Sequence, residues 1–141
     1  MENILIRKYE PEDFESVLNF DGTPSKRREQ KLKMLELKDI FCGYVAESSK
    51  EIVGFIIMQD MGDNKSQQVM QINVKEKRKG IGRSLMAETF SKLGNGKHII
   101  LAVRIENTEA IKFYEAMGFK KSGHTEGYKK DKDYFWYSID T

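Results

Sequence analysis

The sequence predicts a mixed α/β chain of the α+β kind, a central and mostly antiparallel sheet of about seven strands flanked by about four helices. Three observations lead there. Short runs rich in Val, Ile, Phe and Tyr are interleaved with longer stretches whose apolar residues recur at helical spacing. Three of the strand-like runs follow one another between residues 41 and 74 with only short polar breaks, which suits hairpins better than βαβ crossovers. And 141 residues, 39% of them hydrophobic with only two prolines, are enough for one core, so a single domain over residues 1–141 is expected.

Each element has its own signal. "NILIRKY" (Asn3 to Tyr9) reads as a first strand, and "YEPEDFESVLNF" as a helix opened by acids and a proline, with Phe14, Val17 and Leu18 as its buried stripe. After Pro24, "SKRREQKLKMLELKD" reads as a charged second helix with Leu32, Leu35 and Met34 on its apolar side. "FCGYVAESSKEIVGFIIMQ" gives two strands joined by a turn at Ser48 to Glu51, and "QQVMQINV" a further strand after "DMGDNKS". From Gly82 the period becomes helical through Leu85, Met86, Phe90 and Leu93, and Gly94 and Gly96 stop it. "HIILAV" is continuously apolar and expected to be buried on both faces. "NTEAIKFYEAMGF" is a helix with Asn107 or Thr108 as cap and Gly118 at its end, and "FKKSGHTE" and "DYFWYSI" close the chain as two strands.

Composition narrows the function classes. The net charge of +2 implies no whole-molecule attraction to nucleic acid or membrane. The lone Cys42 forms no internal disulfide, the N-terminal "MENILIRKYE" lacks a secretory apolar region, and no apolar run approaches the roughly 18 residues of a spanning helix. A cytoplasmic protein is expected.

Basic character is local. "VKEKRKGIGRSLM" (Val74 to Met86) carries Lys75, Lys77, Arg78, Lys79 and Arg83 around Gly80 and Gly82. Glycines separated by one residue, between a strand and a helix, let the backbone turn tightly and aim several N–H groups at one point, where the helix N-terminus favours an anion such as pyrophosphate. The loop is not a Walker motif, since no Lys-Ser or Lys-Thr follows the second glycine, and it lacks the third glycine of a dinucleotide fingerprint. Taken alone it reads as a glycine turn with solvated lysines.

Two motifs together change that reading. "INVKEKRKGIGRSLM" resembles motif A of the GCN5-related N-acetyltransferase (GNAT) family, and "NTEAIKFYEAMGF" resembles its motif B. The element order from Asn3 to Ile139 is similar to the GNAT fold as well. The resemblance implies an acetyl-CoA-dependent N-acetyltransferase that uses acetyl-CoA as co-substrate and no metal. It implies cofactor contacts at Lys77, Lys79, Gly80, Ile81, Gly82, Arg83 and Ser84, backbone pairing of Ile72 to Val74 with the pantetheine arm, and a hydrogen bond from Asn107. Lys77 stands where the family usually has arginine or glutamine, keeping a donor but losing the planar head.

By the same resemblance Tyr114 donates a proton to the coenzyme A sulfur; by period alone, beside Phe113, it is a core aromatic. The glutamate that many relatives place on the strand before the loop is Met70 here. Asp60, Asp63, Glu76 and Glu126 are alternative carboxylates, while Gln68 and Gln71 can only position water. His98 and His124 are too far apart to read as a metal pair or a triad, and Cys42 reads as a small buried side chain.

The acceptor is a small-molecule or protein amine, met in this family between the first two helices and the last hairpin. There Tyr128, Tyr134, Glu126, Asp131 and Asp133 either meet a cationic amine or belong to a solvated loop. Nucleic acid and membrane are not expected partners, and monomer and homodimer both stay open. A catalytically silent acyl-CoA sensor is the alternative that Met70 raises; a nucleic-acid module built on Lys75 to Arg83 is a third, opposed by the charge balance and the lack of aromatics in that stretch.

Overall fold

A computed structural model describes residues 3–63, 65–77, 79–129 and 131–141. The expected element order recurs: β1 (Leu5–Lys8), a 3-10 turn (Pro11–Asp13) running into α1 (Phe14–Leu18), α2 (Lys26–Met34), β2 (Phe41–Ser48), β3 (Glu51–Asp60), β4 (Ser66–Val74), α3 (Ile81–Leu93), β5 (His98–Arg104), α4 (Thr108–Ala116), β6 (Lys120–Lys129) and β7 (Lys132–Asp140). The strands form one sheet in the order β1-β2-β3-β4-β5-β7-β6. Neighbours are antiparallel except β4 and β5.

Local chemistry sets the boundaries. The Ser25 hydroxyl accepts from the Arg28 amide at 3.1 Å and caps α2. Ser49 and Lys50, at φ 49° and 68°, make the two-residue β2–β3 turn with the twist that hairpins prefer. Gly94, at φ 95°, ends α3.

Two apolar layers cover the sheet. On one face α3 buries Ile81, Leu85 and Met86 against Ile56, Met58 and Ile99, and α4 packs its Phe113, Tyr114 and Met117 on the same side. On the other, Val17, Phe20 and Leu32 of the α1–α2 region pack on Val45, Phe55 and Ile57.

Three expectations need correction. The first helix is short because Asp13 is drawn inward: its carboxylate takes two hydrogen bonds from Arg7 of β1, at 2.8 and 2.9 Å, and one from the Glu10 amide at 2.8 Å. Met34 is exposed, whereas Leu32 and Leu35, the latter one residue past α2, are buried as expected. β5 is not buried on both faces: Ile99, Leu101 and Val103 are, whereas Ile100 and Ala102 are only half-buried. Helices α1 and α2 lie over the β2–β3 half of the sheet, so the second face of β5 lacks a full cover.

One irregularity positions the site. Ile57 pairs with Gln71 but Met58 with Val69, so Met70 is an extra residue bulged out of β4. A bulge bends and twists its strand. Parallel pairing of β4 with β5 covers only Ser66–Gln68 with His98–Ile100; beyond it the two strands part, and the sheet opens toward the N-termini of α3 and α4.

Candidate active site

The opening leads into a cleft of about 710 Å³, lined by Ile72, Asn73 and Val74 of β4, Glu76, Lys77 and Gly80 of the loop, Ile81, Gly82 and Arg83 of α3, and one face of α4 from Asn107 to Tyr114. A second cavity, about 380 Å³, lies where Tyr9 and Phe14 face Leu35 and Phe41, and holds none of the expected site residues.

The two glycines do different work. Gly80 precedes α3 in the left-handed region at φ 76°, where a side chain would be strained although nothing lies within 4 Å of its would-be Cβ. Gly82 has ordinary φ but no room: a Cβ there would sit 3.1 Å from Cζ of Phe113 and 3.7 Å from Cγ1 of Val74. The first helical bond of α3 runs from the Ser84 amide to the Gly80 carbonyl at 3.0 Å. The N–H groups of Ile81, Gly82 and Arg83 therefore have no helical acceptor and form an anion-binding end.

The Ser84 amide is spent inside the helix, and the residue is not among those that line the cleft. Lys79 also lies outside the lining and pairs with Glu76 at 3.2 Å. Lys77 lines the cleft but is held by Glu109 of α4 at 3.4 Å, and Lys75 by Glu51 at 2.7 Å. The basic stretch thus presents less uncompensated charge than its sequence suggests. Arg78 lies outside the described residues.

On α4, Asn107 is the cap: its side-chain oxygen accepts from the Ala110 amide at 3.2 Å, which leaves its NH2 group for another partner. Tyr114 is half-buried between Phe113 and Phe119, with ring centroids 5.5 and 5.9 Å away. Burial alone pushes its phenol up to about 12, and its hydroxyl has no hydrogen bond among the described residues. The Tyr114 ring packs inward against the core, and the residue also lines the cleft.

Of the alternative carboxylates, only Glu76 lines the cleft that holds Tyr114. Asp60 accepts from the Gly62 amide and from Gln67, and Asp63 from the amides of Lys65 and Ser66, all at the start of β4. The cleft lies at the other end of that strand, roughly 25 Å away. The Asp63 carboxyl is held below its ordinary value by those amides. Glu76 lies at the loop end of the cleft, paired with Lys79, and Glu126 is exposed on β6. Gln71 donates to Asn73 at 3.0 Å, and Lys31 of α2 donates to the bulged Met70 carbonyl at 3.3 Å.

His98 pairs with Asp140 at 2.6 Å, His124 packs on Phe135, and Cys42 is half-buried with its thiol pushed up by burial. No group of three possible metal ligands occurs among the described residues. Among them, too, no helix is long and apolar enough to cross a membrane. The Tyr128 ring lies 5.4 Å from both Tyr134 and Trp136, and the Trp136 indole donates to the Thr125 hydroxyl at 3.0 Å.

Sequence reasoning missed Glu109, Ala110, Lys112 and Phe113 as cleft residues. Ala110 was within reach, since it shares helical spacing with Asn107 and Tyr114. The Gly82–Phe113 approach was not, because it joins two helices with no local pattern in common.

The Acetyltransferase (GNAT) domain model matches residues 39–121. This chain belongs to the GNAT family. An uncharacterized N-acetyltransferase of Methanocaldococcus jannaschii is 26% identical over 125 residues, 83% of this chain and 78% of that protein. N-acetyltransferase family 8 member 3 of Rattus norvegicus is 29% identical over 90 residues, covering 58% of this chain but only 40% of that protein, so this GNAT chain spans less than half of the animal relative. Among solved structures, Arabidopsis thaliana NAA60 in complex with acetyl-CoA shares the fold at TM-score 0.81 and 18% identity, covering 97% of this chain and 98% of that one. The family model and the N-acetyltransferase relatives support acetyl-CoA-dependent N-acetyltransferase activity.

Proposed function

We propose that this GNAT protein transfers an acetyl group from acetyl-CoA to a primary amine of a small molecule or protein, by direct attack of the amine on the thioester. One observation carries the reading: the unpaired end of β4, the three open amides of α3 and Tyr114 all meet in a single cleft of about 710 Å³.

The residues present fit acetyl-CoA. The amides of Ile81, Gly82 and Arg83 hold the diphosphate, with Arg83 and Lys77 adding charge and Gly80 setting the turn. The edge of β4 through Ile72 and Val74 pairs with the extended pantetheine arm as an added strand would, and the Asn107 NH2 supplies a further donor. Acetyl-CoA brings the activated acyl group; a β4 amide polarises the acyl carbonyl. Tyr114 donates to the sulfur. A phenol held near 12 is a weaker acid than a thiol near 8.5, so Tyr114 stabilises the departing sulfur by a hydrogen bond and keeps its own proton, and the released thiolate takes its proton from water.

The cleft carboxylates Glu76 and Glu109 are paired with Lys79 and Lys77, so the amine enters neutral or loses its proton to water. Met70 at the bulge also supports a second reading, a sensor that binds acyl-CoA without turnover. We further propose a cytoplasmic protein of one domain over residues 1–141, acting as monomer or homodimer, with no nucleic-acid partner given a net charge of only +2.

Calorimetric titration with acetyl-CoA, then a thiol-release assay across a panel of amines, tests both readings. Binding with turnover is expected. Binding without turnover on any amine selects the sensor, and no heat at high micromolar acetyl-CoA removes both.

A further inference from the structure

One amine of the chain itself reaches the strand that lines the cleft. Lys31 of α2 is half-buried, and its ammonium donates to the Met70 carbonyl at 3.3 Å. Met70 is the residue bulged out of β4, two positions before Ile72, where the strand begins to line the cleft; at about 3.3 Å per residue that offset is roughly 7 Å. Met70 packs with the α1–α2 layer, so the Lys31 amine meets the strand from the face opposite α3, α4 and Tyr114. Its helix is firmly seated: Leu32 is buried, and the buried Arg28 donates to the Leu18 carbonyl at 3.0 Å and to both Asp21 oxygens at 3.1 Å. Other lysines near the cleft are placed differently. Lys75 and Lys77 are held by Glu51 and Glu109 toward the glycine loop, and Lys112 stands on α4, across the sheet from Lys31.

We propose that Lys31 is an acetyl acceptor within the chain, so that the protein modifies its own α2 from acetyl-CoA held in the cleft. The inference rests on the reading that this cleft delivers an acetyl group from acetyl-CoA, and it names an acceptor that the reading does not require. The Lys31 ammonium first loses a proton to water. Its neutral nitrogen then attacks the thioester carbonyl carbon; the C–N bond forms, and the C–S bond breaks with its electron pair leaving on sulfur. The nitrogen gives its second proton to water, and the thiolate takes one back. In sum, one lysine ammonium and one acetyl-CoA give one acetyl-lysine, one coenzyme A thiol and one proton. An amine carried on a fixed helix needs no encounter step, which is the advantage of attack within one molecule. An alkylammonium near pKa 10 is almost wholly protonated at pH 7, so the step is slow there and quickens about tenfold per pH unit.

The test reads the site of modification on the full, unmodified chain, so it depends on no variant folding. The protein is incubated with acetyl-CoA carrying an isotopically labelled acetyl group, without added amine, and the label on each lysine is followed by peptide mass spectrometry. Lys33 and Lys92, both exposed, report direct chemical acetylation from solution. Lys31 is expected to gain label at least about tenfold faster than either, at a first-order rate that stays constant when the protein is diluted, and the rate is expected to rise about tenfold per pH unit above pH 7. Excess unlabelled coenzyme A is expected to suppress labelling at Lys31 and to leave Lys33 and Lys92 unaffected. Labelling of Lys31 no faster than of Lys33 and Lys92, at a rate that falls with dilution, or undiminished by excess coenzyme A, overturns the proposal; turnover of an external amine in the same preparation would then leave the proposed function standing. Absence of acetyl-CoA binding by calorimetry overturns both. Lys31→Arg keeps a cation at the Met70 carbonyl and is expected to bind acetyl-CoA within about twofold of the unmodified chain while its intact mass lacks one acetyl group; an equal number of acetyl groups on that variant also overturns the proposal.

Discussion

Cζ of Phe113 lies 3.1 Å from the point a Cβ on Gly82 would occupy, so the second glycine of the loop is the seat of an aromatic ring from α4. It joins the anion-binding end of α3 to the helix that carries Asn107 and Tyr114. Gly82→Ala therefore requires the Phe113 ring to give by a few tenths of an ångström, and an overpacking cost of about 1–3 kcal/mol is expected, with weakened acetyl-CoA binding. Gly80→Ala meets no atom within 4 Å but must hold φ 76°, a cost of about 1 kcal/mol. Thermal unfolding with calorimetric titration separates the two. Unchanged cofactor affinity in a folded Gly82→Ala protein would contradict the coupling.

Tyr114→Phe keeps the ring packing on Phe113 and Phe119 and removes only the hydroxyl. A fall in kcat of about 100-fold is expected, with KM for acetyl-CoA within about threefold. Because burial holds the phenol near 12, it stays protonated through pH 10, and no loss of activity from its ionisation is expected below that. An alkaline limb near pH 9 that vanishes in Tyr114→Phe would show a phenol far less buried than this one.

Seven strands and four helices were legible because each carries its own period or boundary signal: Pro24 and Asn107 announce helix starts, and Gly94 an end. The glycine loop was legible as an anion site because the backbone chemistry is local. What was not legible depends on partners distant in sequence. Ser84 reads as a first-turn donor until Gly80 is known to be the cap, one residue too early for the Ser84 amide to be open. Lys77 and Lys79 read as loose charge until Glu109 and Glu76 are seen beside them. Asp60 and Asp63 read as near the strand that lines the site, and are, but at its other end. The bulge at Met70 is a register event between β3 and β4, which alternation in one strand cannot reveal.

Arg7 and Asp13 tie β1 to the first helix through two hydrogen bonds at 2.8 and 2.9 Å. Arg7 holds the Asp13 carboxyl below its ordinary 3.8, so the native state keeps this charge at a lower pH than the unfolded chain does. The resulting stability is full above the unfolded value and is lost as pH falls through the depressed native one. Asp13→Asn is expected to lower stability by about 1–3 kcal/mol at pH 7, with the gap to the unmodified protein narrowing below about pH 4. Urea midpoints between pH 3 and 7 check this; a gap that widens on acidification would reverse the sign and refute the assignment.

Met70 makes the pH dependence of turnover the sharpest test of how the acceptor is deprotonated. An alkylamine with pKa near 10 is only about 0.1% neutral at pH 7. With the cleft carboxylates Glu76 and Glu109 paired with Lys79 and Lys77, kcat/KM is expected to rise about tenfold per pH unit toward the acceptor's own pKa, and to shift when acceptors of different pKa are compared. Met70→Glu puts a carboxylate on the bulge, where Lys31, whose ammonium lies 3.3 Å from the Met70 carbonyl, would keep it ionised. The variant is expected to raise kcat/KM at pH 7 by about tenfold and to flatten the slope between pH 6 and 8. An unmodified protein that already shows a plateau across that interval, independent of the acceptor's pKa, would mean that a base of its own is at work.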